Sequence, residues 1–275
     1  SLGRLKVASG LSLTIIVVDN NELDQLELIS QELSSALAGK FRFETAHEKR
    51  PGYCYVRNRA LSKALETPAS VMIFVDDDHA VEPGLVEAYL SEFDKHDCDI
   101  IHGTTVDSLR KCSDGTKAKK VSTYNVAFRR RLVAADAMAL RFDTRLNLTG
   151  KEDHEFFFDA QAKGAVAIFS NQPLTSHIQS PDNQPPAKVD SGNMAYVEAR
   201  NATFVARIRY GMPAAMAMFA RSFLLRGLLG YVGWVLGSQD ARKRARALVG
   251  SFQGLWRPGL VRSAAKKGIH IEVND

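Results

Sequence analysis

"VMIFVDDDHA", residues 71–80, places three aspartates directly after a run of five apolar residues. The apolar run predicts a buried strand, and carboxylates crowded at its end repel one another and lose hydration. One interpretation is a solvated turn, since aspartate is common in turns. The other is a site for a hard metal ion, whose preferred ligands are carboxylate oxygens.

The segments around this stretch alternate between predicted strands and helices. "LSLTIIVVD" (residues 11–19) and "CDIIHGTTV" (98–106) predict strands, while "RPGYCYVRNRALSKAL" (50–65) predicts a helix opened by Pro-Gly. Such alternation predicts an α/β sheet with helices on both faces. Ligands bind at the carboxyl ends of strands in these sheets, where Asp19 and the residue 76–78 aspartates would lie. This position favours a ligand site over a plain turn.

Composition fits one large globular domain or slightly more. Of the 275 residues, 45% are hydrophobic and 24% charged. The three cysteines, Cys54, Cys98 and Cys112, form no CxxC pair, which argues against a structural zinc site or a disulfide framework and fits a reducing cytoplasm. The first twenty residues contain no signal-peptide pattern.

Charge is distributed unevenly along the chain. Residues 200–275 contain 13 Lys and Arg against 3 Asp and Glu, a net charge of +10. The first 199 residues contain 23 against 28, a net charge of −5. This asymmetry predicts that the C-terminal segment meets an anionic surface, either membrane lipid or nucleic acid, and a solvated basic face is the alternative.

Five motifs in order resemble those of family 2 glycosyltransferases with the GT-A fold, over roughly residues 11–180: "VVDNNELD", "RPGYCYVRNRAL", "FVDDDHAVEPG", "VSTYNVAFRR" and "GKEDHEFFFDAQAKG". The bacterial exopolysaccharide transferases are the most similar members. The resemblance implies a mixed sheet flanked by helices and an inverting transfer from a nucleotide-sugar, a UDP-sugar, to a lipid-linked saccharide. It also implies Mg²⁺ or Mn²⁺ as cofactor, because a divalent ion neutralises the diphosphate as the sugar–phosphate bond breaks.

The resemblance assigns roles to the acidic residues and to one arginine. It implies that Asp19 contacts the base, Arg57 the nucleotide and Asp76 the ribose. It further implies that Asp78 binds the metal, and it gives Asp77 a less defined part in donor binding. On an extended segment Asp76 and Asp78 would point to one side and Asp77 to the other. For Arg57 the alternative is a surface arginine on an amphipathic helix.

The pair Glu152-Asp153 lies at a predicted helix start, where the helix dipole stabilises carboxylates. The resemblance implies that Asp153 is the base that deprotonates the acceptor hydroxyl and that Glu152 lies beside the acceptor. Helix-start acids without a catalytic role are the alternative. His177, after the next strand, would be a further metal ligand or diphosphate contact, or simply a polar surface residue.

The family usually begins with a strand and helix that nothing in this chain matches. "SLGRL" resembles the end of that first helix, and residues 13–18 resemble the family's second strand. We therefore expect the first strand and helix to be missing, with a GT-A catalytic domain over residues 1–190. Residues 191–275 are expected to form a basic amphipathic helical tail.

The tail alternates apolar runs with arginine. Residues 214–237 are long enough to span a bilayer, but Arg221 and Arg226 interrupt the first half. The basic run 242–246 then precedes Leu248, Phe252, Leu255 and Trp256. This pattern predicts that residues 214–257 lie on an anionic membrane surface, making the protein peripheral on the inner face of the cell membrane. Packing of these helices on the catalytic domain is the alternative.

Two other functions fit parts of the sequence. A nucleotidyltransferase also combines an α/β sheet with acidic metal ligands, but would usually show a Gly-rich phosphate loop near its first strand, and none is visible. A nucleic-acid-binding protein would suit the basic tail. The tail, however, lacks the interleaved aromatic residues on which single strands stack, so no nucleic-acid partner is expected.

Overall fold

The structure, a computed structural model, describes residues 1–21, 25–37, 39–106, 113–147, 150–178, 191–224, 240–256 and 268–274. The chain divides into two compact units. The larger unit comprises Ser1–Thr144, Glu152–Ile178 and Ser263–Asp275, and the smaller comprises Arg145–Lys151 and Gln179–Arg262. The predicted domain boundary after residue 190 lies outside the described residues.

The larger unit contains one mixed sheet. Its strands are β1 (Ser12–Asp19), β2 (Arg42–His47), β3 (Val71–Asp76), β4 (His79–Val81), β5 (Ile100–Thr105), β6 (Asn125–Arg129), β7 (Ala167–His177) and β8 (Gly268–Asn274). Their order across the sheet is β2-β1-β8-β3-β6-β5-β7-β4. Both β1 and β3 pair antiparallel with β8 and so run in one direction. The carboxyl ends of β1 and β3, Asp19 and Asp76, therefore lie at the same edge of the sheet.

Helices cover both faces of this sheet, as the sequence predicts. They are α1 (Leu26–Leu37), α2 (Tyr53–Ala64), α3 (Leu85–Lys95) and α4 (Glu152–Ala162). Because successive strand residues point to opposite faces, Ile16 of β1 joins the core beneath α2 and α4, and Ile15 joins the core beneath α1 and α3. The sandwich of three layers buries β1 on both sides, which explains its continuous apolar run.

Two strands were not predicted. Strand β8 inserts between β1 and β3, and its partners lie about 200 residues or more away in sequence, so no local pattern reveals the pairing. Strand β4 follows the aspartates directly, with Asp77 and Asp78 in a two-residue turn between β3 and β4. The expectation of an extended Asp76–Asp78 segment was wrong, because the chain reverses after Asp76 and the alternation of side chains ends there.

The described part of the smaller unit contains two helices that pack against each other, α5 (Ser191–Ser222) and α6 (Asp240–Gly254). Helix α5 is broken at Gly211, whose φ of 82° and ψ of −178° are readily adopted only by glycine. Pro213 follows two residues later and begins the next helical run. Residues 225–239 of the predicted tail lie outside the described residues.

None of the helices described in this structure combines the length and the apolar character that crossing a bilayer requires.

Candidate active site

The acidic run forms a corner at the edge of the sheet. Asp76 ends β3, and all three aspartates are partly exposed, the Asp78 side chain by 25%. The Ile178 amide donates a hydrogen bond of 2.9 Å to the Asp78 carbonyl, and His79 pairs with His177 between β4 and β7. This register brings the His177 backbone beside that of Asp78. The side chain of His177 is not among those described, so its role as a metal ligand stays a prediction.

The described side chains do not form a metal-binding site by themselves. No group of three or more His, Cys, Asp or Glu residues among them is arranged to hold a metal ion. Oδ1 of Asp78 lies 3.8 Å from Nε2 of His79, and the Asp78 side chain is 25% exposed. Such a site suits a metal that binds through one or two carboxylates and the substrate's phosphates.

Asp19 is fully buried at the end of β1 and binds its own loop. Its Oδ1 accepts hydrogen bonds from the Asn21 backbone amide at 3.2 Å and from the Asn21 side chain at 2.6 Å. Its Oδ2 accepts one from the Gln25 amide at 3.1 Å. The carboxylate thus shapes the loop that follows β1, and the base contact that the sequence suggests stays a prediction.

Arg57 of α2 and Glu152 of α4 form an ion pair inside the larger unit. Nη1 of Arg57 donates to Oε1 of Glu152 at 2.7 Å, and the side chains are 12% and 4% exposed. Burial alone would lower the pKa of the guanidinium, but the carboxylates of Glu152, Asp153 and Asp76 raise it above its usual value. Arg57 is therefore a positive charge shared by the acidic corner and the start of α4, and the surface-arginine alternative is wrong.

Asp153, the predicted base, occupies the second position of α4 and is half-buried. Its Oδ1 accepts a 2.7 Å hydrogen bond from the backbone amide of the next residue, His154. Among the described residues the other carboxylate oxygen has no hydrogen-bond partner, which leaves it available to a substrate hydroxyl. Glu152, by contrast, points into the protein.

An asparagine that the sequence analysis did not single out joins α2 to the loop before α4. The Asn58 side chain donates to the Phe142 carbonyl and accepts from the Phe142 amide, both at 2.8 Å. The Phe142 ring stacks on Phe156 of α4, with ring centroids 4.3 Å apart and planes 11° apart. No sequence signal marks this link, because Asn58 and Phe142 are 84 positions apart.

A second asparagine, Asn20, was also missed. Its side chain donates to the Arg50 carbonyl at 2.8 Å and accepts from the Gly52 amide at 2.9 Å. The end of β1 is thereby tied to the Pro-Gly turn from which α2 starts. These hydrogen bonds fix the position at which α2 begins, and therefore the position of Arg57.

The structure thus gathers most of the predicted site at one edge of the sheet. Arg57 lies within electrostatic reach of Asp76, Glu152 and Asp153, although these come from three separate segments. Asp19 ends a strand at the same edge.

Comparisons with known proteins agree with this geometry. The family model described as Glycosyl transferase family 2 matches residues 2–153, more than half of the chain. A search of curated protein sequences found no significant match.

Solved structures share the fold at low sequence identity. S. aureus TarS 1–349, solved in complex with UDP-GlcNAc, aligns with a TM-score of 0.54 and 15% identity, covering 92% of this chain and 75% of TarS 1–349. The mannosyltransferase PcManGT from Pyrobaculum calidifontis, solved with GDP-Man and Mn²⁺, aligns with a TM-score of 0.55 and 14% identity, covering 88% and 77%. These similarities show the GT-A fold. With the family match over residues 2–153, they establish that the chain belongs to glycosyl transferase family 2 and is a glycosyltransferase.

Proposed function

We propose that the protein transfers a sugar, with inversion, from a UDP-sugar to a lipid-linked saccharide acceptor in bacterial exopolysaccharide synthesis, assisted by Mg²⁺ or Mn²⁺. One observation carries the proposal: Arg57 is ion-paired with Glu152 at 2.7 Å and lies close enough to Asp153 and Asp76 for their charges to raise its pKa. A donor diphosphate at the first and an acceptor hydroxyl at the second would meet between them.

Donor binding is assigned to the edge of the sheet formed by β1 and β3. Asp76 would hydrogen-bond the ribose, and Asp19 and Asp77 would complete the nucleotide site. TarS was solved with UDP-GlcNAc and PcManGT with GDP-Man, so proteins of this fold bind nucleotide-sugars of both kinds. Their complexes support a nucleotide-sugar donor here, and UDP follows from the motif resemblance.

The residues that would hold the metal ion are Asp78 and His177. Asp78 is a half-buried carboxylate, and the pairing of β4 with β7 brings the backbone of His177 beside that of Asp78. The Asp78 carboxylate and the phosphate oxygens of the donor are the oxygen ligands that Mn²⁺ and Mg²⁺ favour, and His177 would add a nitrogen ligand. When bound, the ion would neutralise charge on the departing diphosphate.

The transfer itself is a single displacement. Asp153 accepts the proton of the acceptor hydroxyl as that oxygen bonds to the anomeric carbon, and the bond from this carbon to the diphosphate oxygen breaks. Attack from the face opposite the leaving group inverts the anomeric centre. Asp153 suits this role because only one of its oxygens accepts a hydrogen bond within the described part of the chain, while Glu152 beside it is buried.

Membrane attachment is proposed for the smaller unit, because the acceptor is taken to be carried on lipid. On α6, Lys243 and Arg246 are exposed, and Phe252 and Trp256 follow with exposed fractions of 52% and 62%. Exposed aromatic residues next to basic ones are typical of a helix lying in an anionic membrane interface. Leu255 was wrongly expected on this face, since it is buried within the unit.

A thermal-shift panel of UDP-, GDP- and dTDP-sugars, each with Mn²⁺ or with EDTA, tests the donor and metal together. We expect a rise in melting temperature with a UDP-sugar in Mn²⁺ and a much smaller one in EDTA. A shift only with GDP- or dTDP-sugars would overturn the choice of UDP. Equal shifts in Mn²⁺ and EDTA would overturn the metal assignment.

A further inference from the structure

We propose that Arg57 and Asn58, neighbours on α2, are positioning residues that fix the first turns of α4 and with them the Asp153 carboxylate. The proposal rests on the function proposed above, in which Asp153 is the base. It gives Arg57 a role in turnover that differs from a nucleotide contact, and it assigns a role to Asn58.

The first link between α2 and α4 is the ion pair. Glu152 is the first residue of α4 and directly precedes Asp153, so its 2.7 Å contact with Arg57 anchors the helix start. Both side chains are almost fully buried, and a buried pair is screened by solvent far less than a surface pair. Oε2 of Glu152 is buried and has no hydrogen-bond partner among the described residues, so its charge depends on Arg57 for compensation.

The second link runs through Asn58 and two stacked rings. The side-chain amide of Asn58 hydrogen-bonds both the carbonyl and the amide of Phe142. These two bonds hold this loop residue against α2. The Phe142 ring in turn stacks face to face on Phe156. Phe156 is four residues after Glu152, one helical turn further along α4.

Two links separated by one turn constrain a helix more than either does alone. A single anchor at residue 152 would let α4 pivot, whereas anchors at residues 152 and 156 fix both its position and its rotation. Successive residues of a helix differ by about 100° around its axis, so rotation of α4 would turn the Asp153 carboxylate away from the acceptor. A displacement of about 1 Å at a reacting group can reduce turnover by about 10²-fold.

The test separates turnover from donor affinity. Arg57→Lys keeps the charge but loses the planar contact, and Asn58→Ala removes both bonds to Phe142. We expect single-turnover rates about 10- to 100-fold lower in each variant, with the donor Kd changed by less than about threefold. Arg59→Gln, an exposed change on the same helix, is the control and should match the wild type.

Two results would overturn the proposal. A raised donor Kd with an unchanged single-turnover rate in Arg57→Lys would make Arg57 a nucleotide contact. A wild-type rate in Asn58→Ala would remove the second link. If Asn58→Ala does not fold, Asn58→Asp tests the same link, because it keeps the shape and the acceptor oxygen but loses the donor to the Phe142 carbonyl.

A readout without substrate distinguishes this proposal from the proposed function. Hydrogen exchange of the α4 amides at residues 156–160 should be faster in Asn58→Ala than in Arg59→Gln, in the absence of donor. Faster exchange together with full activity of Asp153→Asn would refute the base assignment and leave the positioning role standing. Unchanged exchange would refute the positioning role whatever Asp153 does.

Discussion

Glu152 and Asp153 are adjacent carboxylates in different surroundings. Glu152 is 4% exposed and paired with Arg57, while Asp153 is half-buried and, among the described residues, only one of its oxygens accepts a hydrogen bond. Environment rather than residue type therefore separates a residue that holds the helix from one that can take a proton.

Asp153→Asn should leave donor binding nearly unchanged and lower turnover by about 10²-fold or more, because the amide cannot accept the acceptor's proton. Donor Kd from calorimetry and single-turnover rates check this. Asp159→Asn, on the same helix, is the matched control. If affinity falls while turnover of bound donor persists, Asp153 binds the donor and is not the base.

Asp78→Ala should remove the dependence of donor binding on Mn²⁺ and leave the fold intact, because Asp78 is half-buried in a turn and contributes little to the core. Calorimetry with the UDP-sugar in Mn²⁺ and in EDTA measures the dependence, and circular dichroism checks the fold. Asp94→Ala, an exposed change on α3, is the control. Unchanged affinity and turnover in Mn²⁺ would exclude Asp78 as a ligand.

Cys54 lies beneath the site and should be inert. Burial, with the negative charge of Glu152 nearby, raises the pKa of its thiol to about 12 from 9.0. Since the folded pKa is the higher one, its contribution to the free energy of unfolding is complete below about pH 9 and is lost as the pH rises towards 12. Iodoacetamide at pH 8, read by mass spectrometry, should label Cys54 in urea but not in the native protein, and rapid native labelling would contradict the burial.

At the scale of strands and helices, the sequence predicts some parts of the site and not others. Asp19 and Asp76 were predicted at one edge because apolar runs identify the strands and parallel direction follows from the helices between them. The Arg57–Glu152 ion pair was not predicted, because the two residues are 95 positions apart in the sequence. Each of them alone is equally typical of a solvent-exposed helix surface. The extended backbone expected through Asp78 was wrong, because the turn preference of aspartate prevailed over continuation of the strand, whereas the roles of Asp77 and Asp78 stay predictions.

Helices α5 and α6 pack closely through Gly250 and Gly254. A Cβ on Gly254 would lie 2.2 Å from the carbonyl oxygen of Arg200, and one on Gly250 would lie 2.1 Å from that of Tyr196. Real side chains do not approach a backbone oxygen so closely, so the two helices can be this near only with glycine at both positions.

Gly254→Ala should therefore lower the free energy of unfolding of the smaller unit by about 1–3 kcal/mol, since the helices must move apart. Urea unfolding followed by circular dichroism measures the change. Gly84→Ala is the control, because a Cβ there has no atom within 4 Å. Equal stability of the two variants would show that α5 and α6 separate without loss of contacts.

At the scale of the whole molecule, the smaller unit exposes both apolar and basic side chains. Met216 of α5 is exposed by 49%, and Phe223 and Leu224, which directly follow α5, are exposed by 54% and 62%. The Phe219 ring, also on α5, lies 5.7 Å from Phe252 of α6, so the apolar residues of the two helices adjoin. The basic residues precede this apolar group in α6. The same unit thus exposes both positive charge and aromatic rings.

We predict that the protein binds vesicles containing anionic lipid and is released by high salt. Each Lys or Arg near an anionic surface contributes about 1 kcal/mol, and salt screens this attraction. Replacing Arg242, Lys243, Arg244 and Arg246 together with Gln should weaken binding in a sedimentation assay, with the melting temperature of the larger unit unchanged. The control replaces Lys117, Lys119 and Lys120, three exposed lysines of the larger unit, with Gln and should bind as the wild type does.

If the wild-type protein does not bind anionic vesicles, the smaller unit has no role in membrane attachment. Release only by detergent would mean that the tail inserts rather than lying on the surface.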